Sequence, residues 1–185
     1  VGQAYGGGRG KILSIGFLKM TPAMTADLMI DPATPEDLDR LLQIAQESFS
    51  SPWTRKMFQA ELTGNQFSRF IVARMSSSEG EPGMARAVIG YLCFWLVFEE
   101  LRLMDLAVAP AARRRGVARA LVSHALRVGR ESGASRAILE VRASNQAAQS
   151  LYEHFGFRSM ARRVNYYSSP TEDAVLMESA LGANS

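Results

Sequence analysis

The sequence predicts an α/β (α+β) domain in which helices cover one mixed sheet. Three observations carry this. Segments of strand character, such as "FSRFIVAR" and "VIGYLCFWLVF", alternate with segments whose apolar residues recur at i, i+3, i+4 and i+7. Turn formers separate them at Ser76–Gly83, Gly133, Gly156 and "SSPTED". The resulting order is strand, two helices, three strands, helix, strand, helix and two strands, which is a layered single-domain pattern.

The ordered domain is expected to begin near Leu28, with residues 1–27 a glycine-rich flexible extension, 28–181 the domain and 182–185 a short tail. The apolar piece Ile12–Leu18 is closed at once by Lys19 and lacks a cleavage site, so it does not read as a signal peptide. Thr34 is a helix N-cap with Pro35 in the first turn and Asp37 three residues on. Behind it Leu38, Leu41, Leu42, Ala45 and Phe49 form an amphipathic stripe. "SPWTRKMFQAEL" predicts a shorter helix after Pro52.

Phe67–Arg74 and Arg86–Phe98 read as a hairpin, followed by a strand over Leu101–Val108. The next helix presents Ala118, Leu121, Val122, Ala125, Leu126 and Gly129 inward and stops at Gly133. "RAILEV" is a strand. A helix from Asn145 carries Ala148, Leu151, Tyr152 and Phe155 on one face and ends at Gly156. Two closing strands, near Arg158–Tyr167 and Ala174–Glu178, flank "SSPTED".

Composition narrows the function classes. The 185 residues are 47% hydrophobic and 21% charged, enough to bury a core and unlike a disordered chain. A single cysteine, Cys93 in an apolar run, excludes a disulfide framework and fits a reducing, cytoplasmic setting. The longest apolar run, Val88–Phe98, is too short to cross a bilayer as a helix, so no membrane role is expected. His124 and His154 stand apart from any metal-ligand spacing, and no metal is expected.

The net charge is +3, and its one dense basic cluster is "ARRRGVAR", Ala112–Arg119. That cluster follows a strand and opens a helix with Gly116 at the junction. Free backbone N–H groups and the helix dipole there make an anion site, and a side chain at Gly116 would keep a diphosphate from the backbone. The same residues also read as a solvated basic helix start. The loop is neither a phosphate-binding GK[ST] loop nor a dinucleotide fingerprint. No nucleic-acid-binding motif accompanies it, so no specific nucleic acid is expected.

Two residues interrupt their elements. Glu140 sits between Leu139 and Val141 in a strand expected to be central, where a charge is costly unless paired. It reads either as a functional carboxylate or as a strand-end acid paired with Arg142 or Arg136. Tyr152 on a core-facing helix stripe is either a packed aromatic or a placed phenol.

"LAVAPAARRRGVARALV" resembles the acetyl-CoA signature of the GCN5-related N-acetyltransferases (GNAT), Arg/Gln-x-x-Gly-x-Gly/Ala, filled by Arg113, Gly116 and Ala118. "SNQAAQSLYEHFGF" resembles that superfamily's second signature. Within it, "LEVRASN", "LYEHFGF", "PWT" and "NYY…EDAVLM" are similar to the RimI-type subfamily, which acetylates the N-terminal amine of a small-subunit ribosomal protein.

The resemblance implies a GNAT fold over about Leu28–Leu181: a mostly antiparallel sheet of about six to seven strands flanked by about four helices. It implies acetyl-CoA as cosubstrate and a protein or peptide N-terminus as partner. Backbone groups of Leu106, Ala107 and Val108 are then expected to bind pantetheine, and Arg114, Arg115, Gly116, Val117, Ala118 and Arg119 the diphosphate. Arg113 opens that signature. Asn145 matches a cofactor-contacting position and is also a plain N-cap candidate.

By the same resemblance Glu140 is the general base and Tyr152 the acid that protonates the departing thiolate. Other superfamily members carry a catalytic glutamate four residues before the "LAV" tripeptide. Here that position is Arg102, and Asp105 is the nearby acid. Direct attack in a ternary complex is implied, with Cys93 a core residue rather than a nucleophile.

An α-amine, with a pKa near 7.7–8.0, suits one carboxylate base better than lysine, near 10.4. Acetylation of a lysine or a small amine is the rival within enzymes. A non-catalytic module binding acyl-CoA or RNA is the rival outside them. "NYYSSPTED" and Pro52–Trp53 are expected to read a peptide, with Glu99, Glu100, Glu172 and Asp173 available to attract a basic one.

Overall fold

The computed structural model describes residues 28–75 and 86–182. The expected extension 1–27, the whole Ser76–Gly83 loop and residues 183–185 lie outside the described residues. Strand β1 is Leu28–Pro32. Asp37 then starts the first helix: its carboxylate accepts the Thr34 backbone N–H at 2.9 Å and the Arg74 guanidinium at 2.8 Å. The start is thereby tied to the neighbouring strand as well as capped locally.

A 3₁₀ turn, Pro35–Asp37, precedes helix α1, Leu38–Ser48. Leu41, Ile44 and Ala45 are fully buried. Phe49, expected on the stripe, lies one residue past the helix, and Ile44 takes the core position instead. Helix α2, Arg55–Gln59, is capped by Thr54 Oγ1 and continues into a wide π turn at Ala60–Gly64. Its Phe58 packs against Trp53, Phe70 and Tyr91 at ring-centroid distances of 5.6, 5.8 and 5.6 Å.

β2 (Ser68–Met75), β3 (Ala87–Val97) and β4 (Glu100–Val108) form an antiparallel meander, as the hairpin reading requires. Helix α3 is Val117–Glu131 and β5 is Arg136–Arg142. Helix α4 is Gln146–His154, followed by β6, Arg158–Ser168, and β7, Thr171–Ala180. β7 starts three residues earlier than its apolar pattern suggests. Thr171 and Glu172 are already in the β6 ladder, and arginines neutralise Glu172 and Asp173.

The seven strands lie in the order β1-β2-β3-β4-β5-β7-β6. Every neighbouring pair is antiparallel except β4 and β5. β6 is an edge strand, exposed on both faces except at Tyr167, and carries Arg158, Arg162 and Arg163. Charged edges of this kind resist pairing with another sheet. No helix among the described residues is long and apolar enough to cross a membrane.

Two departures from regular pairing position the site. The parallel ladder joins Glu100–Leu103 to Arg136–Leu139 and stops, although β4 continues to Val108 and β5 to Arg142. Past Leu103 the β5-facing edge of β4 therefore has no strand partner. On its other side β4 carries a bulge: Cys93 pairs with Asp105 but Phe94 with Leu103, leaving Met104 as the extra residue. A bulge bends its strand and re-aims the side chains beyond it.

Candidate active site

A cleft of about 340 Å³ opens where β4 and β5 part. Leu103–Leu106 form one wall and Leu139–Arg142 the other, with Tyr152 of α4 and the β6 pair Tyr166 and Tyr167 closing it. Phe49, Ser50, Ser51 and Trp53, from the α1–α2 connection, complete the rim. Glu140, Tyr152, Asp105, Leu106 and Asn145 thus meet in one cavity, together with the two segments expected to read a peptide.

Glu140 lies inside β5, not at its end, because its neighbours Leu139 and Val141 are buried on the opposite face. Its partner is neither Arg142 nor Arg136. Arg163 of β6 reaches across β7 and places Nη1 3.1 Å from Glu140 Oε1. Arg136 instead pairs with Glu100, and Arg142 with Glu172. Hydrogen bonding to the Glu140 carboxylate, then partial burial, holds the Tyr166 phenol above its ordinary value.

Tyr152 is 7% exposed and its ring packs on Phe157 at 5.7 Å. Burial first, then the nearby Asp105 and Tyr167, raise its pKa. The phenol therefore stays protonated across the working pH range and can act as a donor to a sulfur beside it.

The acid on the opposite wall is Asp105. It accepts a hydrogen bond from Tyr91 Oη at 2.9 Å. Burial pushes its carboxyl up to about 7, with the Tyr91 bond acting in the other direction. Arg102, at the alternative glutamate position, is engaged with Glu100. Cys93 is buried and burial raises its pKa, so it remains a thiol, as a core cysteine does.

The basic loop has the shape that an anion site needs. Arg114 and Gly116 both adopt positive φ, 62° and 79°, immediately before α3 starts at Val117. Left-handed turns of this kind point successive backbone N–H groups to one side. Gly116 is thus required by backbone conformation as well as by access. Within the expected cradle, the Arg113 side chain is engaged with the protein: Nε donates to Val108 O at 3.0 Å and Nη2 to Ser48 Oγ at 3.0 Å. Arg119 contacts His154, joining the starts of the cradle helix and the end of α4.

Val117, expected in the diphosphate cradle, has its side chain buried, while Ala118, expected on the inward stripe, is half-buried. Asn145 caps α4, its Oδ1 accepting the Ala148 N–H at 3.1 Å, and also lines the cleft. Glu172 lies beside the cleft, bound to Arg142 and to the Ser144 N–H, whereas Glu99 and Glu100 sit at the other end of the sheet near Arg136.

Three contributors escaped the sequence reading. Gly90 lets β3, β4 and α3 pack closely: a Cβ there would lie 3.0 Å from Ala107 O and 3.1 Å from Val117 Cγ1. Tyr91 read as one more apolar-run aromatic, and only the pairing with β4 reveals its carboxylate. Arg142 lies over the Tyr167 ring at 4.1 Å and donates to Ser169 O at 3.1 Å, while Ser50 Oγ donates to that same carbonyl at 2.7 Å. The α1–α2 connection and the β6–β7 turn therefore touch beside the cleft.

The acetyltransferase (GNAT) family matches residues 38–157. A [ribosomal protein bS18]-alanine N-acetyltransferase from Salmonella typhimurium is 34% identical over 143 residues, covering 76% of this chain and 89% of that protein. The crystal structure of the ribosomal-protein-S18-alanine N-acetyltransferase from Escherichia coli superposes with a TM-score of 0.72 at 28% identity, covering 85% of this chain and 96% of that one. Ard1 from Thermoplasma volcanium aligns with a TM-score of 0.70 at 27% identity over 83% of this chain and 97% of its own. Matched in sequence over residues 38–157 and in overall fold, the chain belongs to the GNAT family of acetyltransferases.

Proposed function

We propose that this protein transfers the acetyl group of acetyl-CoA to the N-terminal α-amino group of a protein. Its specific substrate is the N-terminal alanine of a small-subunit ribosomal protein, which places its work in the cytoplasm. One observation carries the reading: the cleft between β4 and β5 holds a carboxylate and a buried phenol, beside an unpaired strand edge and a left-handed basic loop. The relatives named for bS18-alanine acetylation support the choice of amine.

The residues present fit acetyl-CoA. The free edge of β4 at Leu106–Val108 offers backbone groups to a pantetheine amide, and the loop and first turn of α3, Arg114–Arg119, offer N–H donors and positive charge to a diphosphate. Arg113 acts by holding Val108 and α1 in place. Asn145 fixes the start of α4 and so the height of Tyr152. When bound, acetyl-CoA supplies an activated acyl thioester.

The protein's own groups do the rest. Glu140, oriented by Arg163, accepts a proton from the amine. Tyr152 holds its own until the sulfur needs it. Backbone N–H groups on the free edge of β4 stabilise charge developing on the carbonyl oxygen, and the closed rim holds amine and acyl group together.

The test follows thiol release with a peptide beginning in alanine, beside the same peptide blocked at its N-terminus and carrying one internal lysine. Turnover confined to the free N-terminus supports the reading. Equal turnover of the blocked peptide overturns it.

A further inference from the structure

Acetylation of an ammonium group removes two protons from one nitrogen: one before attack, to expose the lone pair, and one after the C–N bond has formed. Only one proton is needed by the departing sulfur. A site with a single acceptor must return to solvent between these steps. This cleft has two carboxylates, on opposite walls.

They differ in their partners. Glu140 is half-buried and ion-paired with Arg163. Asp105 is half-buried as well, directly beyond the Met104 bulge and lining the cleft. Among the described residues it has no ion-pair partner, although Glu100, Glu140, Glu172 and Asp173 each have an arginine. The groups that face it are Tyr91 and Cys93 of β3, Tyr152 of α4 and, across the cleft, Glu140 of β5. None of them is cationic. A carboxylate withdrawn from solvent normally has a counter-charge, and the cleft that Asp105 lines is open to a substrate cation.

Building on the N-terminal acetylation argued above, we propose that Asp105 is a second catalytic carboxylate, which binds the substrate's α-ammonium group and takes its first proton. The ammonium becomes a neutral amine and Asp105 a carboxylic acid. The amine nitrogen then bonds to the acyl carbon, and Glu140 takes the second proton from that nitrogen. As the C–S bond breaks, Tyr152 protonates the sulfur. One of the two captured protons restores Tyr152 and the other leaves to water, so the cycle closes with no further reactant.

The match of acidities supports the assignment. A carboxyl held near 7 and an α-ammonium near 7.7–8.0 exchange a proton almost evenly, whereas lysine, near 10.4, would hold on to it. Tyr91 tunes the acceptor, because its hydrogen bond favours the charged carboxylate.

The experiment measures kcat/KM for the alanine peptide from about pH 5.5 to about pH 9.5 with the full chain, as wild type, Asp105→Asn and Tyr91→Phe. The wild type should rise through an apparent pKa near 7 before the substrate's own ionisation. Asp105→Asn should lose about 100-fold near neutrality and lose that limb altogether. Tyr91→Phe, which removes the donor to Asp105, should move the limb to higher pH. A fully active Asp105→Asn with an unchanged profile overturns the proposal and leaves N-terminal acetylation standing. Should Asp105→Asn fail to fold, an unmoved limb in Tyr91→Phe overturns it equally. A wild type idle on the free N-terminus overturns the acetylation reading itself, and the role of Asp105 with it.

Discussion

Arg163 Nη1 lies 3.1 Å from Glu140 Oε1, although the two residues belong to strands separated by β7. The guanidinium crosses the face of β7 to orient a carboxylate in the cleft, so the edge strand β6 contributes to the site without bordering β5. This explains why Glu140 does not pair with the arginines nearest in sequence.

Glu140→Gln should therefore lower kcat/KM by about 100-fold or more, the usual worth of a placed base. Thermal stability should hardly move, since Arg163 is 53% exposed and partly exposed pairs contribute about 0–1 kcal/mol. Steady-state kinetics beside a melting curve checks both halves.

Tyr152→Phe keeps the ring on Phe157 and removes only the hydroxyl. It should depress kcat about 10- to 100-fold with little change in either KM, because the phenol acts only as sulfur departs. An unaltered kcat would reduce Tyr152 to a packing residue.

The site was partly legible in the sequence. Strand and helix periodicity gave the element order, and the two signature stretches located the basic loop, Glu140 and Tyr152. What periodicity could not register was everything dependent on which strands become neighbours. The β4–β5 separation is a missing ladder, the Met104 bulge shifts the register by one residue, and Arg163 acts across an intervening strand. Nothing in the apolar run marked Gly90, yet its lack of a side chain lets Ala107 and Val117 approach.

Gly90→Val should consequently destabilise the fold by about 1–3 kcal/mol, the range for overpacking a close contact, and raise KM for acetyl-CoA more than for peptide. Urea unfolding and the two KM values test this together.

Asp105 makes stability depend on pH in an unusual direction. Its folded-state carboxyl sits near 7, above its unfolded value of 3.8, so folding favours the protonated form. The destabilisation is absent well below 3.8, grows as pH rises between those values, and is complete above 7. Asp105→Asn should melt above the wild type at about pH 8, with the gap shrinking toward about pH 4. A gap independent of pH would contradict this.

Arg142→Leu removes the contacts with Glu172, the Tyr167 ring and the Ser169 carbonyl in one step. KM for peptide should rise by about 10-fold, equivalent to about 1.4 kcal/mol, while KM for acetyl-CoA stays within about twofold. Titration of both substrates distinguishes a loosened peptide rim from general damage.

The bond from Ser50 to the Ser169 carbonyl has a topological consequence. Two loops that meet beside a channel turn an open trough into an eyelet. A polypeptide can be threaded through an eyelet by its tip, but a segment in the middle of a chain would have to break the bridge to enter. Under the N-terminal acetylation proposed above, preference for a terminus would then follow from connectivity before any side chain is read.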